Sequence, residues 1–458
     1  MAQNGIAPTG RYDSPGRFTF LDLFSGSGGM SCGFHRHGAF EVVGAVDAQL
    51  GKPSSPRGSL ECNSSYAANI GRAPHEVDLG IVSARELSAL IAPALAGRPL
   101  DVLSACPPCT GFSRANPTNH ARDDPRNSLV ARVADIVREF RPAVVVMENA
   151  RELVGGNFRG HLEALRRSLE ADGYVVDATV HMLSDLGLPQ KRERSVIVAV
   201  RGDRPAITLG DLWAGWSVRP EAVTVRRAIG DLPPVEAGVA HPDDPLHVSP
   251  SIGRESTRRR LRAIPHDGGS WLDLGSTPGG EAHLTPAMRR SIAAGRLGSH
   301  PDVYGRLWWD RPAPTVKREC GHFGNGRYTH PEQDRLCTVR ELALLNGFPA
   351  DYRFRARSLS NLYRHIGDAV PPLISAQLAT IAAWMLGDDH TRVPTPHDAV
   401  LAGTSLRMAD IVSDPALDAA PVSPAHSDPP GSAPTDVPLD LEDHQRRPHR
   451  GHRHAGGE

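Results

Sequence analysis

The stretch Phe18-Thr-Phe-Leu-Asp-Leu-Phe-Ser-Gly-Ser-Gly-Gly-Met30 places a short apolar run directly before a glycine-rich turn. Three further apolar runs follow along the chain: Phe40–Val46, Asp101–Ala105 and Ala143–Met147. Between the last two, apolar residues recur at helix-face spacing from Leu129 to Phe140, and Pro142 ends that helix. Strands that alternate with helices predict an α/β fold with a doubly wound, mostly parallel sheet.

A later strand pair is predicted at Tyr174–Leu183 and Ser195–Val200, and the pattern then changes. Residues 203–305 are rich in Pro, Gly, Arg and His with little periodicity, which predicts a separate, loop-rich insert. Helical spacing returns at Thr338–Asn346 and Pro372–Leu386. Residues 388–458 have too little apolar surface to offset the entropy of ordering, so we predict that this tail is disordered.

The composition restricts the class of protein. The chain has 458 residues, 40% hydrophobic and 22% charged, as is usual for a soluble globular protein. Its 51 basic and 52 acidic residues nearly cancel, so any surface for nucleic acid must be local. Six cysteines are too few for a disulfide scaffold, and no second Cys-x-x-Cys completes a metal site. We recognise no signal peptide and no apolar run long enough to span a bilayer, which predicts a reduced, cytoplasmic setting without membrane contact.

Four chemically distinctive groups follow the ends of four predicted strands: the glycines of 26–29, Asp47, Cys109 and Glu148. Because the strands of such a sheet bring their carboxyl ends to one crevice, we expect these groups to lie together. The glycines suit an anion and Asp47 suits ribose hydroxyls, although a tight turn and a surface acid are equally compatible interpretations. Their combination, with Gly-x-Gly-Gly in place of the dinucleotide pattern, favours a nucleoside cofactor without a pyrophosphate, such as S-adenosylmethionine.

The last two groups are reactive side chains. Cys109 ends Ala105-Cys-Pro-Pro-Cys109, a loop that proline stiffens. Cys106 and Cys109 fit a redox or metal pair, a single nucleophile, or two inert buried thiols. Glu148 ends an apolar strand, where a carboxyl group is costly to bury unless it is paired or acts as an acid, and a helix cap is the alternative.

Six motifs stand in one order between about residues 18 and 385: Asp22-Leu-Phe-Ser-Gly-Ser-Gly-Gly29, Pro107-Pro-Cys-Thr-Gly-Phe-Ser113, Glu148-Asn-Ala150, Gln190-Lys-Arg-Glu-Arg194, Arg311-Pro-Ala-Pro-Thr315 and Gly367-Asp-Ala-Val-Pro-Pro372. They resemble the motifs of the bacterial type of DNA (cytosine-5)-methyltransferase. The resemblance implies a Rossmann-like catalytic domain. It also implies methyl transfer from S-adenosylmethionine, leaving S-adenosylhomocysteine, to C5 of cytosine in a specific double-stranded DNA sequence.

The resemblance also assigns roles to residues. Cys109 is the nucleophile that adds to cytosine C6 once the base is flipped out of the duplex, Glu148 contacts N3 and the exocyclic amine, Arg194 holds O2, and Arg192 supports the site. The implied cofactor contacts are Phe24, Ser25, Gly26, Gly28, Gly29, Asp47, Ala48, Asp78, Leu79, Pro107, Leu129, Asp368 and Ala369. The candidate DNA contacts are Ser113, Arg114, Gln190 and, in an arginine-rich cluster whose alternative is a solvated basic face, Arg254, Arg258, Arg259 and Arg260.

The implied organisation is a flexible arm at 1–16, a catalytic domain at 17–202, a target-recognition domain at 203–310, C-terminal motifs at 311–387 whose last helix returns to the catalytic domain, and the disordered tail. Three positions depart from the family pattern: Thr110 replaces Gln, Ala150 replaces Val, and Asp368 replaces Asn. We expect a monomer near the nucleoid, no metal, and a restriction endonuclease encoded nearby or an enzyme acting alone. The alternatives are tRNA methylation, a DNA-binding regulator with a dead site, and a redox protein.

Overall fold

A six-stranded sheet forms the centre of the computed structural model, which describes residues 16–50, 60–108, 128–156, 159–295 and 302–418. The strands of the described residues are β1 (Phe18–Leu23), β2 (Phe40–Val46), β3 (Val102–Ala105), β4 (Val144–Ala150), β5 (Tyr174–Met182), β6 (Gln190–Lys191), β7 (Glu193–Arg201), β8 (Trp216–Val218), β9 (Ala313–Pro314) and β10 (Ile411–Ser413). The central sheet has the order β2-β1-β3-β4-β7-β5, parallel from β2 to β4 and antiparallel beyond. The predicted α/β fold with a mostly parallel sheet is confirmed.

The helices of the described residues cover both faces of this sheet or follow it: α1 (Gly29–His37), α2 (Cys62–Ile70), α3 (Ala84–Leu95), α4 (Ser128–Phe140), α5 (Glu152–Gly155), α6 (Gly160–Ala171), α7 (Leu209–Trp213), α8 (Val225–Ile229), α9 (Glu255–Ala263), α10 (Pro286–Ala293), α11 (Val339–Leu345), α12 (Leu359–Asp368), α13 (Pro372–Leu386) and α14 (Pro415–Asp418). Successive residues of β1 point to opposite faces. Phe20 therefore packs with α1 and α13, and Leu21 packs with α3, α4 and α6. The helix predicted between Leu129 and Phe140 is confirmed as α4.

The strand register brings the chemically distinctive groups to one edge. Leu23 pairs with Ala105, so β1 and β3 end at the same level. Ser104 pairs with Val146, so β4 passes that level directly before Glu148 and continues to Ala150. Every residue of β4 is buried. A strand covered on both faces reads as a nearly continuous apolar run, so Glu148 stands out as an acid at the end of such a strand.

One stretch, Leu359–Leu386, passes the length and composition test for a membrane-crossing helix, but 89% of its apolar window is buried inside the protein. It comprises α12 and α13, which are separated at Ala369–Pro371. The apolar character of α13 is explained by its packing against α1 in the core.

The predicted insert contains little β-sheet. The buried Arg306, which follows it directly, links it to later parts of the chain. Arg306 is fully buried and donates to the carbonyls of Leu261 (2.8 Å), Gln333 (2.9 Å), His330 (3.1 Å) and Ile264 (3.3 Å), and to the Asp334 carboxylate. These bonds join chain on both sides of residue 310, so the boundary predicted there does not separate two independently packed units.

The prediction that disorder begins at residue 388 is wrong for residues 388–418. Strand β10 pairs with β8 through Ile411 and Val218, and Leu406 is buried against Gly187. Arg227 binds the Asp410 carboxylate at 2.9 Å. A few apolar anchors and two ion pairs, Arg227 with Asp410 and Arg392 with Asp398, order this segment, although its overall composition is polar. The arm before residue 16 and the tail from residue 419 lie outside the described residues.

Candidate active site at the strand ends

Glu148 forms the acidic centre of the site. Its side chain at the end of β4 is only 9% exposed, and its Oε1 lies 2.9 Å from Nε of Arg194 and 3.8 Å from Nη2 of Arg192. The antiparallel pairing of β4 with β7 places Arg194 opposite Ala150, which brings its side chain back to Glu148. Oε1 accepts no hydrogen bond of good geometry from the described residues, so this enclosed carboxylate retains acceptor capacity for a further donor.

Arg192 connects three parts of the chain. Its side chain is almost fully buried and donates to the carbonyls of Val316 (3.2 Å) and Ala369 (3.3 Å) while its charge faces Glu148. Charge-assisted hydrogen bonds of this kind fix geometry as well as neutralise charge. The motifs around residues 190, 315 and 368, which are distant in sequence, are thereby fastened to one carboxylate.

The end of β4 also fixes the loop that leads to Cys109. The buried side chain of Asn149 donates to the Pro107 carbonyl at 3.0 Å, and the Glu148 amide donates to Cys106 Sγ at 3.3 Å. Sequence analysis did not assign a role to Asn149 beyond its place in the Glu-Asn motif. Cys109 itself, with Ser113 and Arg114, lies outside the described residues.

Cys106 is a poor candidate for the nucleophile. Burial raises the pKa of its thiol well above the ordinary value, and the nearby carboxylates of Glu148 and Asp22 raise it further. The thiolate is the reactive form of cysteine, so a thiol kept protonated is inert at neutral pH. Of the two cysteines in the Pro-Pro loop, the local electrostatics therefore disfavour Cys106.

The glycine-rich loop after β1 is organised by Asp47. The Gly26 amide donates to Asp47 Oδ2 at 2.8 Å, the Gln49 amide donates to Oδ1 at 2.7 Å, and the Cys62 thiol approaches Oδ1 at 3.5 Å. Burial raises the pKa of Asp47, and these donors partly oppose that effect. Three bonds leave this carboxylate room for about one more donor, since an ionised carboxylate offers about four acceptor positions. Cys62 is a positioning contact that the sequence did not suggest.

The glycines serve distinct purposes in this loop. Gly28 has a φ of 94°, in the left-handed region that favours glycine. A Cβ on Gly29 would collide with the Val370 carbonyl and would lie 3.2 Å from Ala369 Cβ. Gly29 therefore permits the closing Gly-Asp-Ala-Val motif to pack directly on the start of α1. Beside Gly26, no atom of the described residues lies within 4 Å of where a side chain would begin.

Six other residues that were predicted to contact the cofactor differ in their surroundings. Asp78 and Leu129 both flank Gly80, and Asp78 Oδ1 accepts the Gly80 amide at 2.8 Å. Phe24 and Ala48 are partly exposed at the same edge of the sheet, and Ser25 is buried. Leu79 packs its side chain into the core between the sheet and α4.

Two predicted DNA contacts are wrong. Gln190 is fully buried, where it accepts the Val316 amide at 2.9 Å and donates to Asn346 and Leu345. Arg260 is buried, donates to the His283 carbonyl at 2.8 Å and lies over the Tyr304 ring at 4.9 Å. Both side chains satisfy internal partners and are unavailable to DNA. Arg254, Arg258 and Arg259 are exposed.

Asp368 and Arg318 form an ion pair next to these motifs. Arg318 Nη1 lies 2.7 Å from Asp368 Oδ2. The surrounding protein raises the pKa of Asp368 to about 6 although a third of its side chain is accessible, and Arg318 opposes that rise. The acid at position 368 was predicted as a cofactor contact, whereas Arg318 was not predicted to belong to the site. The sequence did contain a signal for this cation, because an acid that replaces an amide within a packed motif is stabilised by a positive charge nearby.

This chain resembles known proteins in sequence and in fold. A model of the C-5 cytosine-specific DNA methylase family matches residues 18–382. The type II methylase M.HgiDII of Herpetosiphon aurantiacus is 31% identical over 376 residues, which cover 81% of this chain and 97% of that protein. The type II methyltransferase M1.BsuMI of Bacillus subtilis is 29% identical, and the match covers 78% of each chain.

A solved structure has a similar fold. It is from E. coli, is described as a prophage-encoded DNA modification methyltransferase, and superposes with a TM-score of 0.52. The match covers 80% of this chain and 98% of that one at 22% sequence identity. At that identity the likeness concerns the fold alone.

Proposed function

Because this chain belongs to the family of C-5 cytosine-specific DNA methylases and is a DNA (cytosine-5)-methyltransferase, we propose the following course for its reaction. The enzyme acts on cytosine within a specific sequence of double-stranded DNA, takes the target base out of the duplex, and attaches it covalently to Cys109 during methyl transfer. An enzyme must extrude the base because C5 and C6 are inaccessible to a side chain inside the stacked duplex.

The residues at the strand ends fit S-adenosylmethionine, the donor that this family implies. Open space beside Gly26 accommodates a ligand close to the backbone, and the buried Ser25 Oγ has no hydrogen-bond partner among the described residues. Asp47 has acceptor capacity for a ribose hydroxyl, and Asp78 with Leu129 would border the adenine. When bound, the cofactor supplies a methyl group on a positively charged sulfur.

Cys109 begins the chemistry on cytosine. Its thiolate forms a bond to C6, and the electrons of the C5–C6 double bond become available at C5, which takes the methyl group. A base then removes the C5 proton, the bond between C6 and sulfur breaks, and the thiolate is restored. Glu148 accepts a hydrogen bond from the exocyclic amine through one oxygen and shares a proton with N3 through the other, and Arg194 donates to O2. These contacts strengthen as negative charge develops on the ring.

The observation that supports this role most directly is the environment of Glu148. Its carboxylate is enclosed at the end of β4, faces Arg192 and Arg194, and keeps Oε1 without a hydrogen-bond donor of good geometry. Such a group is costly in a folded protein unless a ligand completes it. A cytosine edge offers an exocyclic amine as the missing donor.

Recognition of the DNA sequence is proposed for the region of residues 203–310 together with its packing partner at 327–335. The exposed arginines 254, 258 and 259 are candidates for phosphate contacts, which position a protein on DNA without specifying sequence. We further propose that the enzyme works as a cytoplasmic, nucleoid-associated monomer, beside a cognate restriction endonuclease or alone.

Methyl transfer from labelled S-adenosylmethionine to duplex DNA of varied sequence tests the proposal. Wild type should label DNA, and Cys109→Ser should lower the rate by at least about a thousandfold, because the nucleophile is lost. Cys106→Ser is the matched control on the same loop and should stay within about fivefold of wild type, because Cys106 acts only as a weak acceptor for the Glu148 amide.

Three outcomes would contradict the proposal. One is labelling of tRNA in preference to DNA, and another is equal activity of Cys109→Ser and wild type. The third is failure of wild type to become trapped on DNA that contains 5-fluorocytosine, where the C5 substituent blocks release of the adduct. Bisulfite sequencing of DNA from cells that express the chain would identify the methylated sequence.

A further inference from the structure

We propose that Arg318 and Asp368 together bind the charged amino-acid end of the cofactor, with the Arg318 guanidinium facing its carboxylate and the Asp368 carboxylate facing its ammonium group. This inference rests on the proposed cofactor, S-adenosylmethionine. The amino-acid end of that molecule is a zwitterion, and an ion pair whose two side chains are 24% and 33% exposed is its chemical complement.

Arg318 has unused hydrogen-bonding capacity. Nη1 lies 2.7 Å from Asp368 Oδ2, whereas Nε and Nη2 are enclosed and have no acceptor among the described residues. Leaving guanidinium donors without an acceptor inside a protein is costly. Arg192 provides the contrast, because its two terminal nitrogens donate to backbone carbonyls. An anionic ligand is the group that would complete Arg318.

Asp368 is partly enclosed and partly exposed. Its side chain is 33% accessible, and desolvation by burial raises its pKa to about 6 against the opposing charge of Arg318. The adjacent Ala369 and Val370 pack on Gly29, at the end of the glycine-rich loop. Asp368 is thereby placed beside the loop that is proposed to hold the cofactor.

Arg318 is packed beside the same motif. Gly367 packs directly on the backbone of Lys317 and Arg318, since a Cβ there would collide with both. Burial raises the pKa of Asp47, and among the opposing influences is the positive charge of Arg318, so these two side chains lie within electrostatic reach. The pair therefore lies beside the closing motif and within electrostatic reach of the proposed ribose carboxylate.

The pair also explains the departure at position 368. An asparagine there could contact an amino acid without adding charge, whereas Asp368 alone would repel the cofactor carboxylate. Arg318 cancels that repulsion and supplies the donors that the amide would have offered. Residue 318 should therefore carry affinity for the carboxylate, and residue 368 affinity for the ammonium group.

Calorimetric binding of two ligands to the full chain tests this assignment without relying on catalysis. The ligands are S-adenosylhomocysteine and its decarboxylated form, S-adenosyl-3-thiopropylamine, which keeps the ammonium group. Wild type should prefer S-adenosylhomocysteine. Arg318→Gln should weaken its binding by about tenfold to a hundredfold, the range for losing a hydrogen bond to a charged group, and should change binding of the decarboxylated ligand by less than about threefold.

Two further variants sharpen the test. Arg364→Gln is a matched control, because Arg364 is also 24% exposed and is also ion-paired, with Glu319, and it should leave the preference between the two ligands unchanged. Arg318→Lys keeps the charge and should recover part of the preference. A thermal unfolding curve for each variant confirms that it is folded.

The outcomes separate this inference from the proposed function. If wild type binds neither ligand, the proposed cofactor is wrong and this inference falls with it. If wild type prefers S-adenosylhomocysteine and folded Arg318→Gln keeps the same preference, or loses affinity for both ligands equally, the assignment of Arg318 is overturned while the proposed function stands.

Discussion

The sheet and the insert use buried charge in opposite ways. In the sheet, strands satisfy one another's backbone groups, and the acids Glu148 and Asp47 collect at strand ends where they retain acceptor capacity. In the insert and the segment at 327–335 that packs on it, four backbone carbonyls accept hydrogen bonds from the Arg306 guanidinium instead of from a neighbouring strand. Regular structure thus frees charged side chains for chemistry, whereas irregular structure uses them as internal supports.

Among the substitutions that test this comparison, the one at Glu148 should have the largest effect, and that effect is on the rate of methyl transfer. Glu148→Gln keeps the size of the side chain but removes its charge and alters the hydrogen bonding offered to cytosine. Methyl transfer at saturating cofactor should fall by about a hundredfold to a thousandfold, as is typical when a positioned acid or electrostatic partner is lost. Initial rates of methyl transfer to DNA that the wild type methylates measure this loss.

Glu193→Gln is the control for that experiment. Glu193 stands between Arg192 and Arg194 in sequence, but its carboxylate is 38% exposed and pairs with Arg151. An exposed pair contributes little, so this variant should stay within about threefold of wild type. Similar losses in both variants would show that charge on this strand pair matters in general and that Glu148 has no special role.

The next largest effect should be a loss of folding stability when Arg306, which supports the insert, is replaced. Arg306→Met would leave four backbone carbonyls and the Asp334 carboxylate without their shared donor. The free energy of unfolding should fall by about 3–5 kcal/mol, as when one partner of a buried charged network is removed. Urea denaturation followed by circular dichroism measures this change.

Arg226→Met provides the contrast within the same region. Arg226 makes a two-pronged ion pair with Asp310, but both side chains are more than half exposed. Its loss should cost less than about 1 kcal/mol. If Arg306→Met proved as mild, the insert would be held together by its apolar cluster around Trp271 and Leu274, and the comparison between the two regions would fail.

The same contrast explains how far sequence could predict this molecule. Buried strands leave apolar runs and an amphipathic helix leaves a periodic pattern, so the sheet and α4 could be predicted from the residues themselves. The meeting of Glu148 with Arg192 and Arg194 followed only from the resemblance to the methyltransferase family, because two arginines beside a turn are otherwise typical of a solvated surface. The insert shows no periodic pattern of apolar residues. Its sequence does not distinguish an arginine that donates to backbone carbonyls from one that faces solvent. Arg260 and Gln190 were accordingly assigned to DNA although both are buried. The order of 388–418 was missed because it depends on distant partners such as Gly187 and Arg227.

The smallest effect distinguishes two neighbouring arginines of α9. Arg259 is 65% exposed and, among the described residues, forms an ion pair with Glu255 alone, whereas Arg260 is buried against His283 and Tyr304. If Arg259 contacts a phosphate, Arg259→Ala should reduce the slope of log affinity against log salt by about 0.9, the share of one neutralised phosphate. Arg260→Ala should leave that slope unchanged and lower the free energy of unfolding by about 1–3 kcal/mol. Fluorescence anisotropy on duplex DNA at several salt concentrations, with urea melts of both variants, separates the two roles. A change of slope in folded Arg260→Ala, or none in Arg259→Ala, would mean that exposure on α9 does not identify the residues that meet DNA, and that the insert presents another surface to the duplex.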